Sequence, residues 1–170
     1  SLKGSFSKIY GSFDFSVESP SLSKGEALMD ARSLRFGYGK INQDAHKTDW
    51  LDSARFPKVA FRMNGLKNTN WTGKVLQADA HGSLSLKGQV AEISFPVNIR
   101  YLRPGRRKFD GKHGDVLVIE GILSFNRADF ELNRGKMLGE IMNRISVGVT
   151  VFGCSDRVRP LLPSALFDRN

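Results

Sequence analysis

The sequence holds one cysteine, Cys154, three histidines and no long apolar run, and each shortage removes a class of protein. A single cysteine cannot close an intrachain disulfide or build a thiolate-rich metal site. His46, His81 and His113 are scattered, with no pair at metal-ligand spacing. No stretch approaches the roughly 18 apolar residues that a membrane-spanning helix requires, and Ser1-Leu2-Lys3-Gly4 lacks the apolar segment of a signal peptide. Recognisable nucleophile motifs and glycine-rich phosphate loops are missing too, so the expectation is no enzyme, no catalytic residue, no cofactor and no metal. Acids are in deficit: 17 Asp and Glu against 26 Lys and Arg leave a net charge of +9. That excess favours anionic partners such as nucleic acid, membrane surfaces or phosphate head groups without choosing among them.

What remains is ordinary for a globular chain. At 170 residues, 40% hydrophobic and 25% charged, one domain with one core is the default. The recurring signal is alternation of apolar and polar residues over short stretches bounded by Gly, Asn, Asp and Pro, the pattern of half-buried antiparallel strands. It is clearest in Ile93 to Tyr101, where every odd position is large and apolar. Pro96 falls on the polar face and cannot donate to a ladder, which predicts an edge strand or a bulge there. Comparable runs are Ser12 to Val17, Ala27 to Leu34, Val59 to Met63, Val75 to Leu86, Val116 to Phe125 and Ile145 to Val151. Turn-like pieces join them, among them Asn64-Gly65, Asn68-Thr69-Asn70 and Asp110-Gly111.

Helical character shows twice: in Asp44 to Ala54, stopped before Pro57, and in the rhythm of Met137, Leu138, Ile141, Met142 and Ile145. Both are too short to form a layer. About seven legible strands without interleaved helices predict a sandwich or an up-and-down barrel, and closure removes the exposed edges of a sandwich.

Three stretches, taken in order, resemble the YceI-like family of lipocalin-like, polyisoprenoid-binding bacterial proteins. The first runs from Ala31-Arg32-Ser33-Leu34 through Asn42-Gln43-Asp44-Ala45-His46 and Asp49-Trp50-Leu51-Asp52 to Phe56-Pro57-Lys58-Val59-Ala60-Phe61. The second is Gly82 to Val90 with the strand from Ile93, and the third is Leu123-Ser124-Phe125-Asn126-Arg127-Ala128-Asp129-Phe130. Each is weak alone; together they cover residues 4 to 152 in the family's order. Gln43 replaces the usual Arg and Glu131 stands where Gly is common, departures that bear on local geometry. The resemblance implies an all-β, lipocalin-like antiparallel up-and-down barrel of about eight strands with one or two short helices. Family members carry one more strand ahead of the stretch resembling Lys3 to Gly11, and the sequence does not show it. The expectation is a barrel over residues 1–153 with a seam beside its first strand, covered by a C-terminal tail, 154–170, or by a second copy of the chain in a homodimer.

The resemblance also implies a carrier that holds an isoprenoid-type lipid, such as a polyprenyl chain or a prenylated quinone, inside the barrel, and it implies a periplasmic or secreted location. Phe13, Phe15, Phe61, Met63, Phe95, Val97, Ile99, Leu123 and Phe125 are the candidate ligand wall. Alternating apolar residues are also what any filled barrel core shows, and the sequence does not fix which apolar face points inward. Between Arg100 and His113 lies a basic segment whose Arg103, Arg106 and Arg107 are candidates for an anionic head group or an anionic membrane surface. Its plainer reading is a solvated loop. Asp44, His46, Asp49 and Asp52 read as structural caps and loop ties, and Arg127 with Asp129, on one face of an extended segment, as a structural ion pair with a nearby loop rather than a catalytic couple. A basic barrel binding nucleic acid is the alternative, but it would interleave exposed aromatics with cations, whereas these aromatics share faces with aliphatics.

Overall fold

Strand after strand buries one row of side chains and wets the other, and this two-residue rhythm sets the architecture. The computed structural model describes residues 4–37, 39–133 and 143–155. In chain order the strands are β1 (Gly4–Phe6), β2 (Ile9–Asp14), β3 (Lys24–Asp30), β4 (Leu34–Phe36), β5 (Lys58–Thr72), β6 (Val75–Leu86), β7 (Gln89–Leu102), β8 (Val116–Asn126) and β9 (Arg144–Cys154). Helix α1 spans Gly39–Ala45 and α2 Arg106–Asp110, with 3₁₀ turns at Pro20–Leu22, Ala31–Ser33 and Arg127–Phe130. Seven strands form one antiparallel sheet in the order β2-β3-β5-β6-β7-β8-β9, while β1 and β4 pair separately. The sheet is curled, and among the described residues its two edges, β2 and β9, are not hydrogen-bonded to each other. Seven strands thus stand where about eight were expected, with the break beside β2. Residues 156–170 of the expected tail lie outside the described residues, and Cys154 completes β9.

The inner row of β6 is Leu76, Ala78, Ala80, Gly82, Leu84 and Leu86, all buried, and it faces Phe95, Val97 and Ile99 of β7. Two clusters follow. One gathers Met63, Leu66, Leu76, Phe95, Val97 and Ile99; the other gathers Ala31, Val59, Leu84, Leu86, Phe130 and Leu132. Phe61, Ile93 and Leu123 touch both and join them into one core.

Strand β7 is not an edge, yet Pro96 marks a real boundary. The ladder between β7 and β8 runs from Leu102 paired with Val116 to Val97 paired with Gly121, and stops there. Gly121 allows the close approach at that point, since a Cβ would sit 2.7 Å from the Pro96 carbonyl oxygen. Beyond it the two strands part, and the 3₁₀ turn Arg127–Phe130 packs against both.

Several local expectations need correction. Strand β5 runs straight through Asn64-Gly65 and Asn68-Thr69-Asn70, which read as turns. Register shifts between Met63 and Gly65 and between Lys67 and Asn70 absorb them as bulges, with Asn68 left-handed at φ 51°. The short helix ends at Ala45 rather than spanning Asp44 to Ala54. Past it the chain makes successive turns, with Asp52 left-handed at φ 45°. His46 ties those turns down: its ring nitrogens lie 2.9 Å from Ser53 Oγ and 3.1 Å from the Leu34 carbonyl oxygen. Arg127 and Asp129 are on a 3₁₀ turn, not an extended segment, so they point apart: Arg127 is fully buried and Asp129 exposed. Of the second helical rhythm, Met137 to Met142 lie outside the described residues and Ile145 belongs to β9.

Candidate binding site

All nine wall candidates occupy the inner face and belong to the two clusters. Met63, Phe95, Val97 and Ile99 are buried, whereas Phe13, Phe15, Phe61, Leu123 and Phe125 are half-buried. Their rings meet in two groups. Phe13 stacks on Phe15 at 5.9 Å between centroids, Phe15 meets the edge of Tyr101 at 5.6 Å, and Phe61 tilts against Phe95 at 5.5 Å.

The inner face is not filled evenly. Across β5 to β7 most of it is buried, Met63, Leu66, Leu76, Leu84, Phe95, Val97 and Ile99 among it. On β9 the inward row of Val147, Val149 and Val151, paired with Leu123, Gly121 and Ile119 of β8, is only half-buried and joins neither cluster. An apolar stripe therefore lies along β9, the last strand of the sheet among the described residues. The sequence already placed these valines on one face; only the register with β8 shows that this face is the inner one.

At the end of the barrel where β7 and β8 are connected, the inner face becomes polar. The Tyr101 hydroxyl donates to Asp115 Oδ2, and Asp115 is 2% exposed. The Ser155 hydroxyl accepts from the Asp115 backbone N–H at 3.2 Å. A hydrogen bond to a buried carboxylate contributes about 1.5–3 kcal/mol. Tyr101→Phe is therefore expected to lower the unfolding free energy by about 2 kcal/mol in a urea titration.

Of the three arginines proposed for an anionic partner, Arg106 is misassigned. It is buried: its Nε donates to Asp110 Oδ2 at 3.0 Å and its Nη1 to the Ser155 carbonyl at 3.0 Å. Buried guanidinium groups are kept by such pairing, so this one is a strut that fastens α2 to the end of β9. Partial removal from water pushes the Asp110 carboxyl up, but hydrogen bonds from the Lys112 backbone and Arg106, with their charges, prevail and hold it below the usual carboxylate range. Arg103 is half-buried and Arg107 exposed. The expected solvated loop is in fact a helix, closed by Gly111 in the left-handed region at φ 78°.

An open groove of about 670 Å³ lies on the opposite, outer face, between Asn68, Asn70, Gln77, Asp79, Asn98 and Glu120. Beside these amides and carboxylates its lining includes Pro96, Val97, Ile122 and Val149 and is more apolar than polar, but the groove is shallow and open to water. No group of three His, Cys, Asp or Glu side chains among the described residues is placed to hold a metal ion. No helix among them is long and apolar enough to cross a membrane.

Comparison with known proteins bears on the whole of this arrangement. The YceI-like domain model matches residues 1–152. No curated protein matches the chain. Among solved structures, a YCEI protein of Campylobacter jejuni superimposes with a TM-score of 0.77 at 16% identity, covering 92% of this chain and 86% of its own. BcnA of Burkholderia cenocepacia gives 0.71 at 18% identity over 88% and 86%. A polyisoprenoid binding domain from Saccharophagus degradans, implicated in plant cell wall breakdown, gives 0.55 at 11% identity over 89% and 98%. Identities this low speak for the fold.

Proposed function

The chain belongs to the YceI-like family, and on that premise we propose that it is a carrier that holds an isoprenoid-type lipid, such as a polyprenyl chain or a prenylated quinone, against its inner face. The observation that carries the reading is the half-buried valine stripe of β9. Three inward-facing apolar side chains left partly in water, beside an aromatic lining, form a surface whose burial by a hydrocarbon tail is favourable. Each methylene removed from water contributes about 0.8 kcal/mol, so a long tail needs no polar contact to bind tightly. The polyisoprenoid binding domain among the structural neighbours supports the same ligand class. Arg103 and Arg107, at the connection between β7 and β8, are the groups that would meet an anionic head group or an anionic membrane surface. In this reading the protein supplies shelter and no bond-making group, and it works in the periplasm or outside the cell.

The competing reading, nucleic-acid binding, draws on the net charge of +9. Phe13, Phe15, Phe61 and Phe95 count against it, because rings that face a core cannot stack on bases. Mass spectrometry of an organic extract of the purified protein tests the carrier reading: a prenyl-chain lipid at near-equimolar amount is the expected result. Protein that is consistently lipid-free, with no affinity for prenyl quinones or polyprenyl phosphates, overturns it.

A further inference from the structure

We propose that the end of the barrel capped by α2 is a docking face for anionic lipid bilayers, with Phe109 and Phe152 as the side chains that enter the interface. Strict antiparallel order brings the β5–β6 turn, the β7–β8 connection and the last residues of β9 to the same end of the sheet. That end carries large apolar side chains that no described residue covers fully: Trp71 is 40%, Leu102 41%, Phe109 62% and Phe152 59% exposed. Ile9, Tyr10, Leu28, Val90 and Ile122, exposed elsewhere, are spread over the outer wall and the opposite end. Phe109 comes from α2 and Phe152 from the outer row of β9, and their rings stack at 6.2 Å with 12° between planes.

The pair is rigidly presented. Arg106 fastens α2 from beneath through Asp110 and the Ser155 carbonyl, and its backbone N–H donates to the Gly114 carbonyl at 3.1 Å. Two stacked rings in water, held from below rather than folded inward, are an unusual use of apolar surface for a protein with a core to fill.

Charge chooses the partner. The same end carries the exposed Lys74, Arg107, Lys108 and Lys112 and the half-buried Arg103, while Asp110 of the same segment is committed to Arg106 and Asp115 is buried. Asp14 and Glu18 of the neighbouring β2–β3 connection only partly offset them. Aromatic rings among cations match the bilayer boundary, where rings settle among the head groups and Lys or Arg are drawn to anionic lipid. A single-stranded nucleic acid would also accept stacked rings, but it tracks a groove, and these rings stand on a rim. The inference rests on the carrier reading in one respect: a lipid cargo has to be collected from a membrane.

Co-sedimentation of the full chain with phosphatidylglycerol vesicles and with phosphatidylcholine vesicles tests it. The expected result is binding to the first and not the second, about fivefold weaker or more in F109S/F152S and at least about tenfold weaker in R107E/K108E. A charge-matched reversal at the opposite end, R35E/K40E, is expected to stay within about twofold of the parent. All four substituted positions at the docking end are exposed, and circular dichroism confirms that each variant folds. The proposal is overturned if the parent does not sediment, if F109S/F152S binds like the parent, or if R35E/K40E loses as much as R107E/K108E. Tighter binding to a single-stranded oligonucleotide than to vesicles at equal salt also overturns it. Organic extracts separate the two readings. F109S/F152S, which touches neither inner-face cluster, is expected to keep whatever lipid the parent holds, and a lipid-free parent that still sediments through Phe109 and Phe152 would sink the carrier while leaving the docking face standing.

Discussion

Val149→Glu is expected to leave the protein folded and to weaken prenyl-lipid binding by about 100-fold or more, because an unpaired carboxylate set against a hydrocarbon chain costs several kcal/mol. Val149 is half-buried on the inner row of β9 and opposes Gly121, so part of a longer side chain there stays in contact with water and its carboxylate is hydrated when no ligand is present. Thr150→Lys, one residue on and on the wet outer row, is the matched control and is expected to change nothing. Fluorescent prenyl-quinone titration reads both. Equal affinity in Val149→Glu and the parent would show that the ligand lies elsewhere or is absent, since no alkyl chain can rest on that stripe without touching position 149.

The second large effect is on stability. Phe130→Ala is expected to lower the unfolding free energy by about 3–5 kcal/mol, the usual cost of emptying a phenylalanine site in a core. Phe130 is 0% exposed, meets the edge of Phe125 at 5.2 Å and packs with Ala31, Val59 and Leu132. It sits in the 3₁₀ turn that occupies the gap where β7 and β8 separate, and next to it the Arg127 guanidinium lies 5.4 Å from the ring centre of Trp50. The turn therefore holds two halves of the sheet and the loop from α1 together. For a chain of this size the melting temperature is expected to fall by about 10 °C. Phe152→Ser, on the surface, is expected to stay within about 0.5 kcal/mol of the parent. A Phe130→Ala protein that melts with Phe152→Ser would mean that the gap collapses without loss, contrary to the close packing seen there.

The strands were legible where side chains alternate without interruption. Val75 to Leu86 and Val116 to Phe125 each fall within a residue of the observed strand, because one face of each meets the core and the other meets water. Legibility failed where short-range chemistry and long-range packing disagree. Asn64-Gly65 and Asn68-Thr69-Asn70 are good turn formers, yet β5 lies between β3 and β6, and pairing on both sides outweighs local preference by turning would-be loops into bulges. Arg127 to Phe130 looked extended because the partner that makes it coil, the gap between β7 and β8, is created by residues thirty positions away. In the candidate site, the nine residues chosen from alternation and family resemblance all belong to or pack against the two core clusters. The valines of β9 were not chosen, because which of its two faces is the inner one depends on register with β8. Arg106 was misread for a similar reason: nothing local distinguishes the arginine that dives under α2 from Arg107, which does not.

For the proposed carrier, the edges β2 and β9, which share no hydrogen bonds among the described residues, also bear on timing. A closed tube must be threaded end-on, so each added isoprene unit lengthens the passage. A sheet whose first and last strands are not zipped together can take a tail sideways, along its whole length at once. Loading time is then governed by how often that slot gapes, and it stays nearly constant from short tails to long ones, while the time for which the tail is held grows with every unit it contains.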